Sequence, residues 1–482
     1  MALIIQLYSN LGEYLSFRPK SFLKNVFSNT TEKQHYFGRW DELPDGIMEN
    51  IFGRLNMIDL VHSSGVCKSW RSLVMQKQVR AAPQLPWLVL PHRQSCNSLS
   101  FYSMAEATVY NIKLPKPAQG GWCFGCSKSW LMMARGTEWE PEVYLFNPFS
   151  GFKLNLPSLT TIPYFRDYVA PDPDRFTSFV GKIIVSSTDS AELIVAVLCF
   201  HYQVLVFCKP GDEEWRVWEG GNGDEEGVRC FDIMFCEDGG TLCVLVGVKT
   251  EMEGSFARSY TTCMKSGNRE VMLKVIPFVV SRNDFFIYLE IGQETWIVED
   301  GGNIFSLVES DGELLVVVMF SDVHFTRFED EETEEETDDE DDETEDETEE
   351  ETDEEEEEIE EEEDEEEVLF DFIYLKKRRF EVLKVDFSGV TVSFTRLRSV
   401  GDKMLFLSMG ESISLSASDF NGFSGNLIYF LQDIDYSCVD HDPMVYRESG
   451  VFYLDDQRFV QSFPSTHPSQ SLMCWLTPHI HG

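Results

Sequence analysis

The sequence predicts a small unit of three helices followed by an all-β propeller of about seven blades, which a disordered acidic insert interrupts. Three patterns predict this organisation. Apolar residues recur at helical spacing between residues 40 and about 80, and short strands separated by turns follow Pro83. Residues 329–367 contain 33 Asp or Glu among 39 positions. Helices and strands impose different periods, so the change near Pro83 marks a domain boundary.

These patterns divide the chain into five segments. They are a loosely ordered lead at 1–38, the helical unit at 39–82, a first propeller part at 83–328, the acidic insert at 329–367 and the propeller remainder at 368–482.

The negative charge is concentrated in the acidic insert. Lys and Arg number 39 and Asp and Glu 84, so the formal net charge is −45. Without the 33 acids of 329–367, 51 acids remain, and 39 − 51 leaves −12 on 443 residues. Both parts repel phosphate groups. We therefore expect no nucleic-acid partner and no membrane partner.

The sequence favours a reducing compartment. No stretch reaches the roughly 18 consecutive apolar residues of a membrane-spanning helix. Residues 1–8 lack the basic segment and the small-residue cleavage site of a secretory signal. The 12 Cys are scattered, which is typical of buried free thiols. The expected location is the nucleus, the cytoplasm or both.

Three short helices are predicted between residues 40 and about 80. Pro44 suits a first helical turn, where its missing N–H is not needed. The apolar positions form three groups at helical spacing: Ile47, Ile51 and Leu55 with Met48 and Phe52; Met57, Leu60 and Val61; and Val66, Trp70, Leu73 and Val74. A unit this small cannot bury all its apolar faces alone, so some of this surface should meet a partner.

The region after Pro83 is predicted to be all-β. Short segments rich in β-branched and aromatic residues alternate with turns that contain Gly, Pro, Asn or Asp. The clearest predicted strands are 142–146, 204–208, 231–236, 241–248, 313–320 and 427–431. Segments 85–328 and 368–482 hold 244 and 115 residues, 359 together. At roughly 40–50 residues per blade, this length suits about seven blades.

The acidic insert has three interpretations. Self-repulsion and the lack of apolar residues favour a solvated, disordered loop. Dense charge could instead capture a basic protein. Weak binding of divalent cations is the third interpretation, although the spaced ligands of a dedicated calcium loop are absent from this segment.

Two sets of residues resemble known families. The run from Trp40 to Asp45 (WDELPD), the apolar helical positions and the run from Val66 to Arg71 (VCKSWR) resemble an F-box at 39–82. In the β region, YLFNPFSG at 144–151, GDKMLFL at 401–407 and NLIYF at 426–430 resemble the KIB-type β-propeller. That domain follows the F-box in a large plant family.

The resemblance implies a substrate-recognition subunit of an SCF-type ubiquitin ligase. In F-box proteins the helical unit docks on a Skp-type adaptor, which links to a cullin, and the C-terminal domain holds the protein to be ubiquitinated. The subunit itself makes and breaks no bonds, so the resemblance implies no enzyme and no cofactor. The target protein is unknown.

The resemblance also implies which side chains meet the adaptor. By position they are Leu43, Pro44, Ile47, Ile51, Leu55, Val66, Cys67 and Trp70. Leu43 and Pro44 would form the entry contact and Trp70 a large apolar anchor. The alternative is that some of these side chains pack within the helical unit itself.

No catalytic, cofactor-binding or metal-binding residues are predicted. Cys123 and Cys126 form a CxxC pair, but a second ligand pair and a βαβ context are missing, so we interpret them as strand thiols. Gly239-Gly240 and Gly301-Gly302 are predicted hairpin turns. The basic run at 376–379 is either a nuclear localisation signal or a basic turn between strands.

A second hypothesis assigns the chain to another class of protein. In this hypothesis it is a ligase-independent scaffold whose acidic insert at 329–367 binds basic proteins. Charge-driven capture must weaken as ionic strength rises, which separates this hypothesis from docking through an apolar surface.

Overall fold

A computed structural model describes most of the chain outside the acidic insert. The described residues are 43–75, 83–90, 97–116, 119–171, 173–189, 193–199, 204–218, 228–236, 239–249, 260–266, 269–282, 286–291, 294–299, 305–322, 377–389, 391–408, 410–435, 445–460 and 474–480. The predicted lead at 1–38, the acidic insert at 329–367 and the turn at Gly301-Gly302 lie outside them.

The chain forms two compact units. The first comprises Met1–Phe320 and Arg379–Gly482, and the second comprises Ser321–Arg378. In the second unit, only residues 321–322 and 377–378 are described.

Three helices open the described part of the chain and confirm the predicted helical unit. They are α1 (Asp45–Phe52), α2 (Met57–Ser64) and α3 (Lys68–Val74). A short helix, α4 (Phe165–Val169), lies between the strands of the second and third sheets. None of the described helices has the length and apolarity needed to span a bilayer.

Twenty-seven strands in the described residues form six sheets, which are the blades of a propeller. Blade 1 contains β1 (Trp87–Val89), β2 (Ser98–Ser103), β3 (Thr108–Lys113) and β27 (Cys474–Leu476). Blade 2 contains β4 (Trp122–Ser127), β5 (Trp130–Thr137), β6 (Glu140–Phe146) and β7 (Lys153–Asn155). Blade 3 contains β8 (Val180–Val185), β9 (Val195–Cys199), β10 (Val204–Cys208) and β11 (Arg216–Val217).

Blades 4–6 contain the remaining strands. Blade 4 contains β12 (Val228–Phe235), β13 (Thr241–Lys249), β14 (Tyr260–Ser266), β15 (Arg269–Arg282), β16 (Phe286–Ile291) and β17 (Glu294–Glu299). Blade 5 contains β18 (Phe305–Ser310), β19 (Glu313–Asp322), β20 (Lys377–Asp386) and β21 (Ser393–Leu397). Blade 6 contains β22 (Lys403–Leu407), β23 (Ile413–Ser416), β24 (Leu427–Asp435), β25 (Val445–Tyr453) and β26 (Arg458–Val460).

The prediction of about seven blades is wrong, because the described strands form six. The estimate divided the length by a uniform blade size, whereas two regions use more chain than a standard blade. Blade 4 has six strands and extends from Val228 to Glu299. The connection at 156–179 between β7 and β8 contains α4 and two 3₁₀ turns, whose side chains fill the space between blades 2 and 3.

Each blade is buried on both faces because it lies between two others. Side chains alternate along a strand. Along β10, Val204 and Val206 pack in a core with blade 2, whereas Leu205 and Phe207 pack in a core with blade 4. All five residues of β10 are buried, which explains why this strand has a continuous apolar sequence.

The ring closes through the last strand. β27 pairs antiparallel with β1, so residues almost 400 positions apart in the numbering complete blade 1. Trp475 is fully buried, and its Nε1 donates to the Leu407 carbonyl of blade 6 at 3.0 Å. The Cys126 Sγ of blade 2 donates to the Trp475 carbonyl at 3.3 Å. β27 therefore joins blades 6, 1 and 2.

A buried ion pair links the inner strands of three further blades. Lys182 Nζ of β8 lies 2.5 Å from Asp232 Oδ1 of β12, and the two side chains are 3% and 2% exposed. Asp232 Oδ2 also accepts the Leu307 N–H of β18 at 2.6 Å. Burial raises the pKa of the Asp232 carboxyl, and the Lys182 ammonium opposes that change.

Replacement of Trp475 by Ala should destabilise the whole propeller. Replacing a fully buried Trp by Ala leaves a cavity and lowers the free energy of unfolding by about 3–5 kcal/mol. The hydrogen bond to Leu407 is lost as well. Urea unfolding measures the change. Trp139→Ala is the matched control, because Trp139 is 45% exposed and its removal should cost less than about 0.5 kcal/mol. Equal losses in both variants would contradict the closing role of Trp475.

Lys182→Met should leave a buried carboxylate without its partner and reduce stability by about 3–5 kcal/mol at neutral pH. Asp232→Asn in the same chain should restore part of that loss, because a neutral amide still accepts the Leu307 N–H. Because burial raises the pKa of Asp232, the stability of the variant should depend on pH. The loss of stability in Lys182→Met should become smaller as the pH falls towards about 4. At that pH the Asp232 carboxyl is already largely protonated in the unfolded chain, so folding no longer has to bury it as a charge or protonate it. Urea unfolding at several pH values tests this, and a pH-independent loss would contradict it.

Candidate functional site

Local sequence sets the ends of the three helices. The Pro44 carbonyl accepts the N–H of Ile47 at 2.9 Å and opens α1. The Asn56 Oδ1 accepts the Asp59 N–H at 2.8 Å and caps α2. The Cys67 Sγ accepts the Trp70 N–H at 3.4 Å at the start of α3. Gly53 and Gly65 directly follow α1 and α2.

One side of the helical unit is buried against blade 1. Its buried residues are Met48, Phe52, Met57, Leu60, Val61, Leu73 and Val74. They share one hydrophobic core with residues of β1, β2 and β27, among them Trp87, Phe101 and Leu476. The small helical unit therefore completes its core with apolar surface from the propeller, as its size requires.

A polar joint fixes α2 to the turn between β2 and β3. Asn56 Nδ2 donates to Glu106 Oε1 at 3.0 Å, while the Asn56 Oδ1 caps α2. The Tyr110 hydroxyl donates to the other oxygen of Glu106. Tyr110 in turn stacks on Trp87, with ring centroids 5.0 Å apart. Burial raises the pKa of Asp59, His62 opposes this, and the nearby Glu106 carboxylate adds to it.

Four of the eight predicted adaptor-binding residues are exposed. Ile47 is 49% exposed and Val66 is 63% exposed. Pro44 and Cys67 are exposed as well. This set is apolar surface that the helical unit does not use in its own core, and covering it would be favourable.

The other four predicted residues are half-buried. Leu43, Ile51, Leu55 and Trp70 pack against the core shared with blade 1. Trp70 meets Phe52 edge to face, with ring centroids 5.4 Å apart. For these four, packing against that core accounts for part of each side chain.

Sequence reasoning missed the polar joint and the buried pair. Asn56 is not among the residues that the sequence analysis predicts to be functional. Its capping role was readable from the sequence, but its contact with Glu106, 50 residues away, was not. The pairing of Lys182 with Asp232 likewise depends on which strands become neighbours in the ring.

The CxxC pair lies in β4, as the interpretation of strand thiols expects. Cys123 and Cys126 are buried and reduced. Burial raises the pKa of both thiols. Within the described residues, no group of three or more His, Cys, Asp and Glu is arranged to hold a metal ion.

The described part of the basic run forms a strand rather than a turn. Lys376 lies outside the described residues, and β20 begins at Lys377. Arg379 and Arg396 both pair with the buried Glu381, with an Arg379–Glu381 distance of 2.9 Å. The predicted turn at Gly239 is confirmed, since Gly239 adopts φ +63° between β12 and β13.

Comparison with known proteins assigns both parts. The model of the F-box domain matches residues 40–80, and the model of the KIB1-4 β-propeller matches residues 101–452. The chain belongs to the plant F-box proteins with a C-terminal KIB1-4 β-propeller. The two resemblances seen in the sequence are therefore confirmed.

The F-box protein has relatives in Arabidopsis thaliana. At4g22180, a protein named for its F-box, is 31% identical over 92% of this chain and 94% of its own length. The F-box/kelch-repeat protein At1g57790 is 30% identical over 26% of this chain, and At5g66830 is 24% identical over 41%. These two matches span only 35% and 47% of those relatives.

The polar joint between F-box and propeller can be tested with substitutions that keep the helix cap. Asn56→Asp retains an oxygen for the Asp59 N–H but places a carboxylate against Glu106. We expect faster amide hydrogen exchange in α2 and a stability loss of about 0.5–1.5 kcal/mol. Adding Glu106→Gln should restore the joint, because the amide of residue 106 then donates to residue 56. Unchanged exchange in Asn56→Asp, or no rescue in the double variant, would show that the joint does not hold the F-box.

Proposed function

We propose that this F-box protein is the substrate-recognition subunit of an SCF-type ubiquitin ligase. Its F-box docks on a Skp-type adaptor, and through it on a cullin, while the propeller binds the protein to be ubiquitinated. The observation that supports this most directly is the exposed apolar surface at Ile47 and Val66. The subunit supplies recognition and placement, and no bond-making step is assigned to its residues.

The adaptor surface combines two kinds of residue. Pro44, Ile47, Val66 and Cys67 supply exposed apolar area, and Leu43, Ile51, Leu55 and Trp70 are half-buried against the core. Full burial of an Ile or Val side chain contributes roughly 1.5–3 kcal/mol, so covering the exposed 49% of Ile47 and 63% of Val66 should contribute about 1–2 kcal/mol each. Docking through this surface should therefore depend weakly on salt.

The target protein would bind the propeller face away from the F-box. Turns between consecutive antiparallel strands alternate between the two ends of a blade. The β2–β3 turn, which carries Glu106, lies at the F-box end. The Thr477 N–H donates to the Lys128 carbonyl, which places the β4–β5 turn at the same end. The β5–β6 turn is then at the opposite end, where Trp139 is 45% exposed and offers an aromatic anchor.

Exposed positions provide the sharpest test of adaptor docking. The double variant Ile47→Asp/Val66→Asp places two charges on the apolar surface and should abolish co-purification of the full chain with a Skp-type adaptor and cullin. Both side chains face water, so the thermal midpoint should hardly change. Substitutions at Leu43 or Trp70 are less decisive, because these side chains also pack in the core.

The matched control is Trp139→Asp/Met272→Asp, which changes two exposed apolar residues of the propeller and should leave adaptor binding intact. Failure of the wild-type chain to bind the adaptor would overturn the proposal. In that case the scaffold hypothesis gains support if deletion of 329–367 abolishes capture of basic proteins and if rising salt weakens that capture.

Nuclear or cytoplasmic location is part of the same proposal and can be followed with a tagged full-length chain.

A further inference from the structure

Two reduced cysteines face each other on the hairpin of β12 and β13. The Cys236 Sγ, directly after β12, lies 3.0 Å from the Cys243 Sγ in β13. Met234 is the residue opposite Cys243 in the register, so Cys236 is two positions further along the same face. A disulfide bond is about 2.0 Å long, so the two sulfurs are roughly 1 Å further apart than in a bonded pair.

The register makes this pair different from another pair on a comparable hairpin. Cys199 and Cys208 lie on β9 and β10, and both are buried and reduced. Cys199 is opposite Val204, whereas Cys208 is opposite Val195. Their positions are therefore separated by four residues along the strands, which corresponds to roughly 13 Å.

The two thiols of the close pair differ in accessibility. Cys236 is half-buried, whereas Cys243 is 1% exposed within the core of blades 4 and 5. Lys274 is opposite Cys243 on β15. The hydrogen bond with Cys236 raises the pKa of the Cys243 thiol, and burial adds to this. Cys243 therefore stays protonated until it reacts, and Cys236 is the first of the two thiols to react.

We propose that Cys236 and Cys243 form a reversible disulfide when the protein meets a hydroperoxide. The Cys236 sulfur attacks one peroxide oxygen, the O–O bond breaks, and the thiol proton leaves with the departing hydroxide as water. The Cys243 sulfur then attacks the resulting sulfenic acid at Cys236, the S–O bond breaks, and the second hydroxide leaves with the Cys243 proton as water. Two thiols are oxidised, and one hydrogen peroxide is reduced to two waters.

The bond would lock the hairpin into its native register. The Gly239 N–H donates to the Cys236 carbonyl at 2.8 Å, so Cys236 belongs to the turn itself. At Gly239 an added Cβ would lie 3.1 Å from the Ser186 carbonyl of blade 3, which shows how closely this turn packs against its neighbour. A covalent link here holds β12, which also carries Asp232, against β13. The inference does not depend on the proposed function.

The test treats the full-length protein with hydrogen peroxide, blocks remaining thiols by alkylation and maps peptides by mass spectrometry. We expect one linked peptide that joins Cys236 to Cys243 and disappears after dithiothreitol. Oxidation should also raise the thermal midpoint, and dithiothreitol should reverse that rise. Cys236→Ser and Cys236→Ala should both lose the linked peptide and the rise, whereas Cys199→Ser/Cys208→Ser should keep them.

Three results would overturn the proposal. The first is the absence of the Cys236–Cys243 peptide from the oxidised folded protein. The second is its formation only after unfolding in urea, because the folded geometry would then play no part. The third is an equal yield of other cysteine pairs, since the 3.0 Å contact would then give no selectivity.

Discussion

The antiparallel pairing of β27 with β1 is the constraint on which the rest of the structure depends. It completes blade 1 and closes the ring. The same strand contributes Cys474 and Leu476 to the core that buries the F-box helices. The F-box therefore packs on a blade that exists only when the two distant parts of the propeller have met. Ring closure and placement of the candidate adaptor surface are one structural event.

Polar contacts join the inner strands of three further blades. Lys182, Asp232 and the Leu307 N–H join β8, β12 and β18 at the centre of the ring. Such a pair loses its hydration on burial, so its net contribution to stability is small. Its geometry is nevertheless demanding, because the Asp232 carboxylate must meet both the Lys182 ammonium and the Leu307 N–H. We infer that it selects one arrangement of neighbouring blades.

Local patterns predicted the helices and strands well, because each depends on a few consecutive residues. The strand at 204–208 agrees with β10 at both ends, and the three helices follow the predicted apolar groups. The predicted number of blades was wrong, because the insertion at 156–179 and the extra strands of blade 4 depend on packing between distant segments. Helical periodicity also could not choose between the sides of α1 that carry Ile47 and Met48, since both are apolar. Only contact with blade 1 decides that Met48 is buried and Ile47 exposed.

Rigid placement follows from the shared core. Three helices of seven or eight residues bury too little apolar surface to be stable alone, so the F-box completes its interior in a core that also contains Trp87 and Phe101 of blade 1. Asn56 adds a directional contact through Glu106, which restricts rotation about the apolar interface. If the F-box were attached by a flexible linker, the distance and orientation between a bound target and the adaptor would vary. Here packed side chains join the F-box helices to blade 1, so a target held at the far face of the propeller would keep a defined distance from the candidate adaptor surface.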